Sequence, residues 1–414
     1  MQKFITLKLF LCLVFLTYYS DANAATTLQE AFSQGTIRGE LRANFFSRDF
    51  EDSNKKDRED FAAGTSLYYH TAPMYGLSAG AAFASANDID SDRDKATYGM
   101  LAADHENVAR LQEFYIQGDW FKTTLKYGAQ ELETPFMNTH DIRLLPRTYK
   151  GLSIKNNSID NMKLSAYYIT ESAGWTDDDF VTLSQAVAAE SGGASSIPDE
   201  KAMVILGAEY NIPTDIVKSN VQGWYYTMTD VFNQTYLKTS VSKNLNNVTI
   251  YTTPSVLWQK SQGDELNGNL STYQYGLNAG VKALGFNLTG YYAKTGDDAI
   301  LAPWGDEKIV ILQLYHSERA EEDTYALKLN YDFSKIGIKG LSSYIFYANF
   351  DTPDSGANAS SDASETDLSA TYSFHGALEG VSIRARYAMV NIKDGKDIND
   401  LRFYVSFKFG SKSK

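Results

Sequence analysis

The chain has 414 residues, a formal net charge of −13, 13% aromatic residues and one cysteine. An acidic chain has no sequence-wide attraction for nucleic acid, so no nucleic-acid partner is expected. A single cysteine excludes an internal disulfide framework.

The first residues read as an export signal. Lys3 and Lys8 precede an uncharged run from Leu9 to Tyr19, and "DANA" then sets Ala22 and Ala24 in the small-x-small spacing before Ala25. Cleavage is predicted after Ala24, making residues 1–24 the signal peptide. Its apolar run is shorter than the ~20 residues a spanning helix needs. Cys12 leaves with it. After Ala25 no apolar run is long enough for a membrane helix, so the exported chain is either soluble or an outer-membrane β-barrel. Residues 25–35 read as a short periplasmic segment, in which "LQEAFSQG" is a turn of helix with Leu28, Ala31 and Phe32 on one side.

From there the pattern is alternation. Segments with apolar residues at every second position fall at 36–48, 58–70, 76–86, 109–119, 121–131, 148–156, 160–171, 200–211, 218–229, 232–242, 247–260, 270–283, 285–295, 322–334, 340–351, 364–375, 380–393 and 400–409. Most have the roughly ten residues of a tilted spanning strand. In "TYALKLNYDF", Tyr325, Leu327, Leu329, Tyr331 and Phe333 share one face, and Thr324, Lys328, Asn330 and Asp332 the other. The predicted fold is therefore all-β: a transmembrane up-and-down antiparallel β-barrel of about 18 strands over 36–409.

The connections sort by parity. Long gaps (87–108, 132–147, 172–199, 296–321, 352–363) follow odd segments, and short ones follow even segments. The tight "TDVF" is the exception. A barrel inserted from the periplasm makes short inner turns and long outer loops, whereas a soluble sandwich has no reason to sort them.

Three stretches carry a family likeness: "LQEAFSQGTIRGELRANFFSRDF", "YHTAPMYGLSAGAAF" and above all "YGAQELETPFMNTHDIRLLPRTYKGLSIKN". The chain resembles the OprD-like porin family, in the Opr branch found in epsilonproteobacteria. The resemblance implies an 18-stranded barrel, often trimeric, that passes small carboxylate-bearing nutrients. It also implies that the loop after the fifth strand folds into the pore as a constriction. Such porins usually end on the aromatic residue of the last strand. Here "GSKSK" follows Phe409, so residues 410–414 are read as a polar tail.

Parity then assigns the lumen. In the last strand Arg402 and Lys408 lie opposite the apolar face. In "VSIRARYAMV", Val381, Ile383, Tyr387 and Met389 face outward and Arg384 and Arg386 inward. In the first strand Ile37, Leu41 and Phe45 face outward, and Arg38, Glu40, Arg42 and Asn44 inward. Barrel closure makes these three strands neighbours, aiming five arginines and one lysine into the pore. On the lipid side each such charge would cost ~2–4 kcal/mol near the midplane. In a wet lumen they act, because guanidinium grips carboxylate with paired hydrogen bonds. Packing against loop carboxylates is the bland alternative.

The loop 131–148 holds Glu131, Glu133, Asp141, Arg143 and Arg147, stiffened by Pro135 and Pro146. By resemblance it is the constriction loop, with Asp141 and Arg143 as pore-lining charges. The acidic "DIDSDRD" places Asp88, Asp90 and Asp92 like the start of a calcium loop, but Gly99 stands where the bidentate Glu belongs, so a solvated acidic face is expected. No metal, cofactor or catalytic constellation is expected. The five histidines form no H-E-x-x-H or Ser-His spacing, which leaves an outer-membrane hydrolase the weakest reading. A sealed structural or adhesive barrel typically has about eight strands. The expected function is a porin for small hydrophilic solutes such as amino acids or organic acids. Its surroundings are outer-membrane lipid and lipopolysaccharide, and a homotrimer is its expected assembly.

Overall fold

The computed structural model describes residues 25–190, 197, 201–305 and 307–410. The predicted signal peptide, residues 1–24, and residues 411–414 of the predicted tail lie outside the described residues. Helix α1 (Leu28–Ser33) precedes the barrel. Thr27 caps it by accepting from the Glu30 N–H at 3.1 Å, and the Glu30 carboxylate accepts from the Thr26 N–H at 2.8 Å. These bonds satisfy backbone donors that a helix start leaves open.

The barrel strands are β1 Thr36–Phe50, β2 Arg58–His70, β3 Leu77–Asp88, β4 Val108–Trp120, β5 Thr123–Gln130, β6 Thr148–Asn156, β7 Met162–Ala173, β8 Met203–Ile212 and β9 Lys218–Met228. They continue as β10 Phe232–Leu245, β11 Val248–Ser261, β12 Ser271–Ala283, β13 Phe286–Thr295, β14 Asp323–Asp332, β15 Leu341–Asp351, β16 Ala363–Ser373, β17 Val381–Ile392 and β18 Ile398–Gly410. Each pairs antiparallel with the next, and β1 closes on β18 from Arg38↔Gly410 to Phe50↔Ile398. This is a closed 18-stranded barrel, as the alternation predicts. All of the predicted segments overlap a strand, and the predicted long and short connections fall at opposite ends.

Closure has a local signature. Gly39 on β1 lies under the Phe409 ring, where a Cβ would come within 2.3 Å of the ring. The aromatic covers the backbone that the glycine leaves bare. Outward positions are apolar: Leu41, Tyr168, Leu206, Tyr325, Leu327 and Phe403 are all exposed on the isolated chain. That is the surface a bilayer covers.

The buried side chains lie on the lumen side, where the long connections fold inward. One cluster joins Phe46, Ala62 and Ala84 of the wall to Tyr98, Met100, Leu101, Leu144 and Leu145 of two loops. Another joins Tyr226 and Tyr236 to Phe136, Met137, Ile300 and Trp304, together with Leu183 and Val187 of helix α2 (Leu183–Glu190). Burial of apolar surface, at ~25 cal/mol per Å², holds the loops inside rather than above the barrel.

Candidate functional site

The basic strip forms as parity dictates. Register sets Arg386 beside Arg402 across β17 and β18, Arg402 beside Phe46 across β18 and β1, and Lys408 beside Glu40. Arg384 donates to Ser369 Oγ at 3.2 Å and to the Tyr344 hydroxyl at 3.3 Å. Arg386 pairs with Asp367 at 3.1 Å. Arg42 grips Asp141 of the constriction loop with both Nη atoms, at 2.5 and 2.6 Å, and also donates to Glu40 and to the Arg143 carbonyl. Lys408 lies 3.8 Å from Glu40. Arg38 has its guanidinium 3.6 Å above the Tyr68 ring.

Pointing inward is not the same as lining the pore. Arg402 is only 2% exposed. Its Nε donates to Asp400 at 2.8 Å, and its Nη2 to the Tyr98 hydroxyl at 2.8 Å and the Gln313 carbonyl at 3.1 Å. The same Asp400 takes Arg48 Nε at 2.8 Å, Gln313 Nε2 at 2.6 Å and the Tyr98 hydroxyl. Tyr98 comes from the β3–β4 connection and Gln313 from the β13–β14 connection, so two loops seal Arg402 against the wall. Glu365 anchors the second loop by accepting the N–H groups of Gln313, Leu314 and Tyr315 at 2.7–3.0 Å. At this level the bland reading of the strip describes the geometry.

The constriction loop crosses the lumen from wall to wall. Its middle forms a two-residue hairpin, Glu133–Thr134 with Met137–Asn138. Phe136 packs edge-on against Tyr226 and Tyr236 on one side. Leu144 seats over Gly64 on the other, where a Cβ on Gly64 would stand 3.0 Å from Leu144 Cβ. Asp141 reaches the open lumen. Arg143 does not: its guanidinium faces Phe46, Tyr98 and Trp175 at 5.1–5.6 Å, and among the described residues its buried Nε and Nη1 have no acceptor. Burial and the nearby Arg402 push its pKa down to about 10, still charged at neutral pH. Arg147 stacks 4.1 Å over Trp175. Glu133 accepts from Thr139 Oγ1 at 3.0 Å and stays exposed.

Below the loop, toward the short turns, a cavity of about 720 Å³ remains open. Arg38, Arg42, Lys408, Glu40, Glu131, Glu133, Asp141 and Tyr68 reach it. Thus Arg38, Arg42, Lys408, Glu133 and Asp141 of the expected site residues meet in one place, whereas Arg384, Arg386, Arg402, Arg143 and Arg147 do not line it. Glu131, one of the loop charges named from the sequence, joins the first group there, whereas Tyr68, Tyr98, Arg48, Asp400 and Gln313 escape the sequence reading. Inward parity marks Tyr68, Arg48 and Asp400, but nothing periodic marks the loop positions Tyr98 and Gln313.

In the "DIDSDRD" stretch Asp88 accepts from Ser91 N at 3.1 Å and Oγ at 2.6 Å, and from Arg93 at 2.5 Å, and no cluster of metal-ligating side chains exists among the described residues. Asp60 holds the buried His105 ring at 3.0 Å and the Gly99 and Met100 N–H groups, tying the same outer loop to β2.

A closed barrel, greasy outside, with a charged lumen narrowed by an inward loop, is an outer-membrane porin, a channel for small solutes. The family model for outer membrane porins of the OprD family matches residues 30–410, and the chain belongs to that family. Among solved structures it is similar to Pseudomonas aeruginosa OccK9 (OpdG), with a TM-score of 0.82 and 22% identity over 92% of this chain and 100% of that one. It is also similar to Pseudomonas aeruginosa OpdK with vanillate (TM-score 0.79, 17% identity, 92% and 100% covered). A BenF-like porin from Pseudomonas fluorescens Pf-5 gives a TM-score of 0.80 at 16% identity with the same coverage. These likenesses show the fold. No curated protein matches the chain by sequence.

Proposed function

We propose that this porin passes small carboxylate-bearing solutes, amino acids or small organic acids among them. The observation that carries the reading is Arg38. It is an exposed lumen guanidinium stacked on Tyr68, and among the described residues no carboxylate forms an ion pair with it. Arg42 and Lys408 add charge on the same wall, and Arg384 and Arg386 continue it along β17. Guanidinium takes a carboxylate through two parallel hydrogen bonds, and a row of cations hands an anion onward. One structural neighbour is described with vanillate, itself a carboxylate, which agrees in kind. Placement in the epsilonproteobacterial Opr branch rests on the stretch 127–155. Lipid and lipopolysaccharide surround the barrel in this reading, and a homotrimer is its assembly.

Planar-bilayer recordings in a salt gradient test the proposal. Conductance steps with a reversal potential on the anion side are expected, moving toward zero in Arg38→Ala/Arg42→Ala. Cation-carried current that these substitutions leave unchanged would refute it. No conductance at all would favour a sealed structural barrel.

A further inference from the structure

The cavity below the constriction presents both signs of charge, and part of that charge cancels locally. Arg42 is taken by Asp141 and Glu40, and Lys408 leans on Glu40. Arg38 and Glu131 are among the groups that stay outside this exchange. Arg38 lies on the face of Tyr68 at 3.6 Å. Glu131 accepts the hydroxyl of the same tyrosine at 2.5 Å, and among the described residues no cation forms an ion pair with it. Tyr68 therefore holds an arginine and a glutamate on one cavity wall and keeps them from pairing. We propose that Glu131 is a specificity-determining residue that receives the ammonium group of a zwitterionic solute whose carboxylate is held by Arg38. This rests on the carboxylate reading above and adds a second pole to it.

The surroundings of Glu131 favour an incoming cation. Behind it stands Glu113 of β4, whose carboxylate accepts the Glu131 N–H at 2.9 Å. Two carboxylates this close repel, and a buried acid such as Glu113 without an ion-pair partner is costly. The other charged or titratable groups near Glu131 are Tyr68 of β2, Arg38 of β1, Arg110 and Tyr115 of β4, Lys126 of β5 and Asp141 of its own loop, and Arg110 is already engaged by the Gly174, Asp177 and Pro146 carbonyls. Lys126 of β5 stands by Glu113, but it is stacked 3.8 Å over the Tyr115 ring and forms no ion pair among the described residues. Burial and Glu113 push Glu131, one residue past the end of β5, up to about 7. An ammonium entering at neutral pH displaces a proton there, so its binding strengthens as the pH rises. A plain cation meets Arg38 and Arg42, and a dianion meets Glu131 and Glu133. A solute with one charge of each sign satisfies both walls.

The test compares propionate with β-alanine, which adds an ammonium to the same three-carbon acid. Uptake of each is measured in proteoliposomes carrying the whole barrel. The β-alanine-to-propionate ratio is expected to fall about fivefold in Glu131→Gln, while propionate entry rises with the loss of an opposing charge. In the unsubstituted protein the ratio is expected to climb between about pH 6 and about pH 8, and to stay flat in Glu131→Gln. Glu131→Asp keeps the charge and the preference. An unchanged ratio in Glu131→Gln with propionate still entering overturns the proposal. If Glu131→Gln does not insert, a pH-independent ratio in the unsubstituted protein overturns it equally. Failure of the carboxylate reading looks different: neither acid then enters faster than through protein-free membrane, and this proposal falls with it.

Discussion

Arg402 and Arg38 sit on adjacent strands, point into the same lumen and have opposite fates. Arg402 is walled in by Asp400, Tyr98 and Gln313, with no open water beside it. Arg38 is exposed, stacked on Tyr68 and facing a cavity. The difference lies in the loops. Toward the long-loop end four connections fold back and bury wall charges as a structural network. Toward the short-turn end, among the described residues, no connection covers Arg38, and its charge stays available to solute. A lumen charge is thus a brace or a binding group according to what packs over it.

The largest expected effect sharpens that contrast. Arg402→Ala removes the main counter-charge of a buried Asp400 and is expected to cost about 3–5 kcal/mol in unfolding of the detergent-held barrel, with little change in ion selectivity. Leu144→Ala empties the seat over Gly64. It is expected to cost about 3 kcal/mol and to raise single-channel conductance as the constriction loop loosens. Tyr98→Phe takes one hydroxyl from Asp400, Arg402 and Arg48 together. A loss of about 1–2 kcal/mol is expected, read from the same unfolding curves. Arg38→Ala should reverse the pattern: a stability change within about 0.5 kcal/mol, but a clear shift of the reversal potential toward cations. If Arg38→Ala unfolds the barrel and Arg402→Ala moves selectivity, the division of the lumen drawn above is wrong.

The smallest effect is pH dependence. Glu131 is neutral below its raised pKa of about 7 and charged above it. Acidification through neutrality removes one negative charge opposite Arg38, so anion preference rises as pH falls. Reversal potentials recorded across that range check the sign, and Glu131→Gln should flatten the curve.

Much of this was legible beforehand, for a reason visible in particular residues. Leu401, Phe403, Val405, Phe407 and Phe409 alternate with Arg402, Tyr404, Ser406 and Lys408, and β18 keeps that alternation. Gly39 under Phe409 shows that the closure of first on last strand is also built locally. The partners of Arg402 were not legible. Tyr98 and Gln313 lie in aperiodic segments, far from it along the chain.

The alternation by itself determined the barrel, its closure and which side chains enter the lumen, because a strand's side chains have no choice but to alternate and lipid tolerates only one of the two faces. Only the tertiary structure decided which of those charges meet water. That depends on where four long connections come to rest, and contacts between distant segments, Tyr98 to Asp400 or Leu144 to Gly64, set the answer without leaving any period in the sequence.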